Sequence, residues 1–239
     1  MSPTVEQKGM ETIAQSRIIQ FIIGDDLTVF NVHEASIWGL SKLLDKELWK
    51  QTGDYKVTWE HVDVGTFATF LEYAYTGNFT VIDRGMKHKP GNEEPPSLGE
   101  YMVSCELNDS VSVKYALKHF GQVLQQPCCK NNAGQASTLA RENGPSYFRH
   151  YYLAHSRLYI FADNYDLEKL KSLCIEKMRQ SLVGNPGQVE LIHAVVDVLR
   201  FIWPQTEPRD AMRDLILRYI LSDMSWMMRQ PVFNKLLKE

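Results

Sequence analysis

Seven histidines and four cysteines are the side chains of this 239-residue chain best suited to metal or nucleophilic chemistry, and their spacing supports neither. His150 and His155 lie five apart, which places them on different faces of a helix and makes them poor joint zinc ligands. His33 has no second ligand three or four residues on, so a structural role fits it better than metal binding or catalysis. Cys128 and Cys129 are adjacent, a spacing that cannot close on one tetrahedral ion, and no C-x-x-C occurs anywhere. Joining them to Cys105 and His119 would complete a donor set on paper. An inert pair in a polar loop is the simpler reading, with an oxidisable thiol between Pro127 and Lys130 as the alternative.

Carboxylates fare no better as an acid–base pair. Asp25-Asp26 and Glu93-Glu94 fall in turn-like sequence and read as solvated charge. The chain has no G-x-S-x-G elbow, no H-E-x-x-H, no phosphate-binding G-x-x-x-x-G-K-[ST] and no G-x-G-x-x-G. These residues predict no enzyme, no cofactor, no metal site and no small-molecule substrate. The expectation turns instead to protein partners.

Composition bounds the classes further. Hydrophobic residues make up 44% and charged residues 23%, the balance of an ordinary globular chain long enough to bury a core without disulfides. A formal charge of -3 argues against nucleic acid as the main partner, because phosphate binding needs concentrated positive charge. No run approaches eighteen apolar residues, so no membrane-spanning helix is expected. Residues 1–16 are polar and do not read as a signal peptide. Few, irregular cysteines suit a reducing compartment, and the expected location is intracellular, cytoplasmic or nuclear.

The elements that would carry any site follow from periodicity. Ile18–Ile23 is rich in β-branched residues, stops at Gly24-Asp25-Asp26, and resumes as an extended run to His33, which predicts a β-hairpin. From Glu34, Ile37, Leu40, Leu44 and Leu48 predict one helix of about four turns. Residues 55–59 alternate as a half-buried strand. Asp63 caps a helix with Phe67, Phe70, Leu71 and Ala74 on one face, and Gly77 sits at its exit. Residues 78–82 read as extended.

Residues 83–146 are polar and hold five of the ten prolines, after which residues 147–239 are helical in pattern. Stripes there are Tyr151, His155, Leu158, Ala162, then Leu167 to Leu182 behind a cap at Asp166, then Val189 to Trp203 behind Asn185-Pro186. Met212, Leu215, Ile216 and Tyr219 predict a further helix, and Val232, Phe233, Leu236 and Leu237 a last short one. A small sheet with helices, followed by helices alone, is an α+β pattern.

Three ordered motifs carry a resemblance. Phe21-Ile22-Ile23-Gly24 with Phe30-Asn31-Val32-His33-Glu34 and Ser41 resembles the opening of a BTB/POZ domain. Thr66-Phe67 through Leu71-Glu72-Tyr73-Ala74-Tyr75-Thr76-Gly77 is similar to that family's T-F-x-x-F-L-x-[YW]-x-Y-T-G signature. Leu158 to Tyr165, with Leu167, Leu170 and Lys171, resembles its Y-x-x-A-D-x-Y helical hairpin. The resemblance covers residues 17–82 and 150–182, and the remainder looks most like fungal BTB proteins with a BACK-like helical tail. With the polar tail at 1–16, it implies a BTB-like small sheet with flanking helices over 17–182 interrupted at about 83–146, and a helical BACK-like extension over 183–239.

The resemblance also implies a non-enzymatic interaction module, either a substrate adaptor for a cullin-type ubiquitin ligase or a homo-oligomeric scaffold. Family members commonly dimerise, and His33 would pack or cap the start of the first long helix. Cullin-binding relatives often carry a hydrophobic-x-Glu element where this chain has Trp49-Lys50-Gln51. Glutamine keeps size and an acceptor but loses the charge that strengthens a hydrogen bond about twofold. Residues 1–16 hold no β-rich run to exchange, so a homodimer would use helix faces. Within the insertion, Val113, Leu117 and Phe120, with Leu124, recur at helical spacing and predict either a packed lid helix or a recognition element that orders on binding.

Overall fold

A computed structural model describes residues 9–51, 55–81, 145–184, 189–222 and 224–238. The described residues form a mixed α+β fold, with a small three-stranded sheet, flanking helices and a helical C-terminal region. Two compact units divide the chain. Among the described residues, the first holds 9–51, 55–81 and 157–174, and the second holds 145–156 and the residues from 175 onward.

The first unit opens with α1 (Met10–Ala14), a single turn within the segment whose sequence reads as a polar tail, and its Ile13 is buried. The expected hairpin is present as β1 (Ile18–Ile23) and β2 (Thr28–His33), antiparallel with Phe21 opposite Phe30. Alternation sets the faces: Ile19, Phe21 and Ile23 point into the core, while Ile18 and Gln20 face out. β3 (Lys56–Trp59) adds to the other side of β1 in parallel, giving the order β2-β1-β3.

The single helix expected from Glu34 is two. α2 (Glu34–Ile37) stops at Trp38, whose ψ of 127° is extended, and Gly39 follows at φ +87°. The chain restarts as α3 (Lys42–Gln51), with the Ser41 hydroxyl accepting the Leu44 N–H at 2.9 Å. Helical spacing of Ile37, Leu40, Leu44 and Leu48 runs through this break, but Gly39 permits a left-handed turn that other residues resist. Only Leu44 and Leu48 then share a buried helical face on α3.

α4 (Val64–Thr76) matches its local signals. Asp63 Oδ2 accepts the Thr66 N–H at 2.9 Å, and Gly77 leaves the helix at φ +72° with its N–H on the Tyr73 carbonyl. Residues 78–81 lie outside the sheet, yet Phe79 and Val81 are buried.

α5 (Pro145–Asn164) and α6 (Glu168–Gly184) are joined by a tight turn. Asp166 does not cap α6. It sits at φ +54°, and the Leu167 carbonyl accepts the first helical bond, from Lys171 N–H. The core of the first unit is aromatic. Trp59 stacks on Tyr165 at 4.8 Å and meets Phe21, Phe67 and Phe161 edge-on at 5.4–6.0 Å. Such pairs add to the roughly 1.5–3 kcal/mol gained by burying each large apolar side chain.

In the second unit, Tyr152 of α5 donates its hydroxyl to Ser181 Oγ of α6 at 2.8 Å. α7 (Val189–Ile202) buries a broad apolar face, including Ile192, Val196 and Leu199, and leaves His193 and Arg200 exposed on the other side. Trp203, expected to extend that stripe, instead enters a short 3-10 turn and is 52% exposed. Its ring lies 4.4 Å from the guanidinium of Arg213, which donates to Thr206 Oγ1 and to the carbonyls of Trp203 and Thr206. Asp210 caps α8 (Ala211–Ser222), where Met212, Leu215, Ile216 and Tyr219 are buried as the sequence predicts. α9 (Met224–Met227) and α10 (Pro231–Leu236) follow; Phe233 of α10 is buried, whereas Leu237 beyond it is exposed.

Candidate functional site

Among the described residues, the exposed face of α3 and the cleft beside it form the candidate site. On α3, Leu44 and Leu48 are buried against the first unit, which fixes the rotation of the helix. Its remaining face is thereby turned outward, and Trp49 on that face is 72% exposed. An indole left this open on an ordered helix is unusual, because burying it would release much apolar surface from water. The Trp49 ring meets that of Trp38 edge-on, with centroids 6.4 Å apart. Asp45 Oδ1 ties the helix back to the Gly39 N–H at 2.8 Å, holding the α2–α3 corner that carries both tryptophans.

Trp38 also borders a cleft of about 510 Å³ within the first unit. Ile13 of α1, Leu40, Tyr73 of α4 and Leu167 at the start of α6 contribute to its walls. Its size and mostly apolar lining are those of a site that accepts a small molecule or a few side chains of a partner. Burial raises the Tyr73 phenol pKa, with Cys174 adding to the shift, so the phenol meets any occupant as a neutral donor and acceptor.

His33 and His155 are both held by hydrogen bonds within the fold. His33 ends β2, and both its backbone N–H and Nδ1 lie within 3.0 Å of the Tyr75 hydroxyl. His155 is 1% exposed, with Nδ1 2.8 Å from the Tyr151 carbonyl and its ring 4.2 Å from that of Tyr151. Burial lowers its pKa to about 4, the backbone bond opposing and Lys177 adding to the fall. Cys174 is a buried free thiol. Among the described residues, no group of three or more His, Cys, Asp or Glu side chains could hold a metal ion. No helix among them is long and apolar enough to cross a membrane.

Of the residues singled out in sequence as partner-binding, Trp49 lies on the exposed face of α3, and Gln51 is the last residue of that helix, its side chain being outside the described set. Val113, Leu117 and Phe120 lie outside the described residues, as do Cys105, Cys128 and Cys129. The fold adds Trp38, which sequence periodicity places inside a continuous helix, and the cleft beside it. The signals for the break are Gly39, which takes a left-handed φ, and Ser41, which caps the helix that follows. No family model, curated protein or solved structure matches the chain.

Proposed function

We propose that this chain is an intracellular protein-interaction module of the BTB/POZ kind with a BACK-like helical extension, acting by binding other proteins and not by catalysis. The observation that carries the reading is the exposed Trp49 on the outward face of α3. Interface hot spots are enriched in tryptophan, and the family resemblance matches this one to the hydrophobic position of the cullin-contacting element, here within α3 and not in the loop that follows it. The fold class and the ordered motifs at 21–34, 66–77 and 158–165 support the same reading.

A substrate adaptor for a cullin-type ubiquitin ligase is the first form of this role. Gln51 leaves out the negative charge of the relatives' glutamate, which predicts weaker cullin binding. Pull-down of purified cullin by the full chain tests it, with Gln51→Glu expected to bind more tightly and Trp49→Ala less. Failure of the wild type and of Gln51→Glu alike removes the adaptor reading.

A homo-oligomeric scaffold is the second form, favoured by the apolar cleft between α1, α2, α4 and α6 in the first unit. Sedimentation across a wide concentration range tests it. A monomer throughout would rule it out.

A further inference from the structure

The outward face of α3 carries more than a tryptophan. Lys42, Lys46 and Lys50 recur every fourth residue and so form one row along the helix. Lys42 and Lys46 are exposed, and among the described residues neither has an ion-pair partner. The helix's two acids do little to neutralise the row. Asp45 is turned to the Gly39 N–H, and Glu47 pairs with Lys50 at 2.7 Å. On either side of the lysines stand Trp49 and Leu43, the latter 40% exposed. Like charges four residues apart weaken a helix, and the charges left on Lys42 and Lys46 are a cost that a partner of opposite sign would remove.

We propose that this face of α3 docks an acidic protein segment, its carboxylates on Lys42 and Lys46 and an apolar side chain against Trp49. The inference rests on the reading of α3 as a partner surface and names the class of partner. Complementary charge would speed encounter and exclude basic competitors, while the indole would supply the desolvated contact. A nucleic-acid backbone suits the face less well, since one short row of lysines, with Lys50 already paired to Glu47, makes few phosphate contacts.

Fluorescence anisotropy on the full chain tests the proposal with a short labelled peptide of Asp, Glu, Leu and Phe. A second peptide has Lys in place of every acid, and phosphatidylserine vesicles form a third arm. The acidic peptide is expected to bind at least about tenfold tighter than the basic one, and to weaken as salt rises from about 50 mM to about 300 mM. Lys42→Glu with Lys46→Glu should cost at least about tenfold, and Trp49→Ala a similar factor, with circular dichroism unchanged. No binding of the acidic peptide, equal binding of both peptides, or full binding by the charge-reversed protein overturns the proposal. Loss with Trp49→Ala alone would overturn the acidic partner and leave α3 as a contact surface. Loss with neither variant would remove the α3 reading too. Binding of vesicles in place of peptide would overturn it in favour of a membrane surface.

Discussion

The hydroxyl of Tyr75, on α4, closes the end of β2 by meeting His33 twice, at 3.0 Å from its backbone N–H and 2.9 Å from Nδ1. The N–H donates to the phenol oxygen, and the phenol hydroxyl can donate to Nδ1 when Nε2 carries the ring proton. One side chain thus ties the strand-to-helix junction to α4 across 42 residues of sequence. Tyr75→Phe keeps the ring and strands a half-buried N–H. The expected loss is about 1–2 kcal/mol in urea unfolding, with no change in the secondary-structure spectrum.

Ser41 holds a second junction. Its hydroxyl accepts from the Leu44 N–H and donates to the Tyr165 carbonyl, so it caps α3 and joins that helix to the α5–α6 turn within the first unit. Ser41→Ala should cost about 1–2 kcal/mol, more than an isolated cap, because a buried carbonyl also loses its donor. Ser41→Thr should recover most of that loss. Equal stability of wild type and Ser41→Ala in denaturant would contradict the assignment.

What the sequence discloses about this fold depends on how local the cause is. The helix from Asp63 to Gly77 is written in its own ends, a side-chain cap and a left-handed exit, and the structure reproduces both. The break at Gly39 was hidden because Ile37, Leu40, Leu44 and Leu48 keep helical spacing on either side of it. Asp166 has the right residue type for a cap but a φ of +54°, and only the turn after Asn164 reveals that. β3 is visible as alternation, yet its parallel partner β1 lies more than thirty residues away, beyond the reach of periodicity. The candidate site divides likewise. The family resemblance singles out Trp49, whereas the direction of the lysine row depends on the burial of Leu44 and Leu48, which fixes the face of α3 that points out.

Two tryptophans ten residues apart should respond oppositely to truncation. Trp59 is 3% exposed and contacts Phe21, Phe67, Phe161 and Tyr165, so Trp59→Ala opens a cavity and should cost about 3–5 kcal/mol. That is a large share of the roughly 5–15 kcal/mol by which a domain is stable. Trp49→Ala removes a ring that is 72% exposed and should change stability by less than about 1 kcal/mol. Thermal melts of the two variants measure the difference directly. A melting temperature for Trp49→Ala as low as that for Trp59→Ala would mean that Trp49 is structural and not a contact residue.

His155 makes stability depend on acid in a defined window. Burial lowers its folded pKa to about 4 from the ordinary value of 6.5, so between these pH values the unfolded chain takes up a proton that the folded one refuses. Stability is therefore unaffected by this group above about pH 6.5, falls as pH drops through the window, and loses nothing further below about pH 4, where both states are protonated. A shift of this size corresponds to roughly 3 kcal/mol lost in all, at 1.36 kcal/mol per pKa unit. His155→Gln retains an amide donor for the Tyr151 carbonyl without the titration. Its stability at pH 7.5 should be lower than that of wild type from altered packing, while its decline between about pH 6.5 and about pH 4 should be shallower by a comparable amount. Urea midpoints taken across that range decide the matter: parallel curves for the two proteins would show that acid sensitivity arises elsewhere.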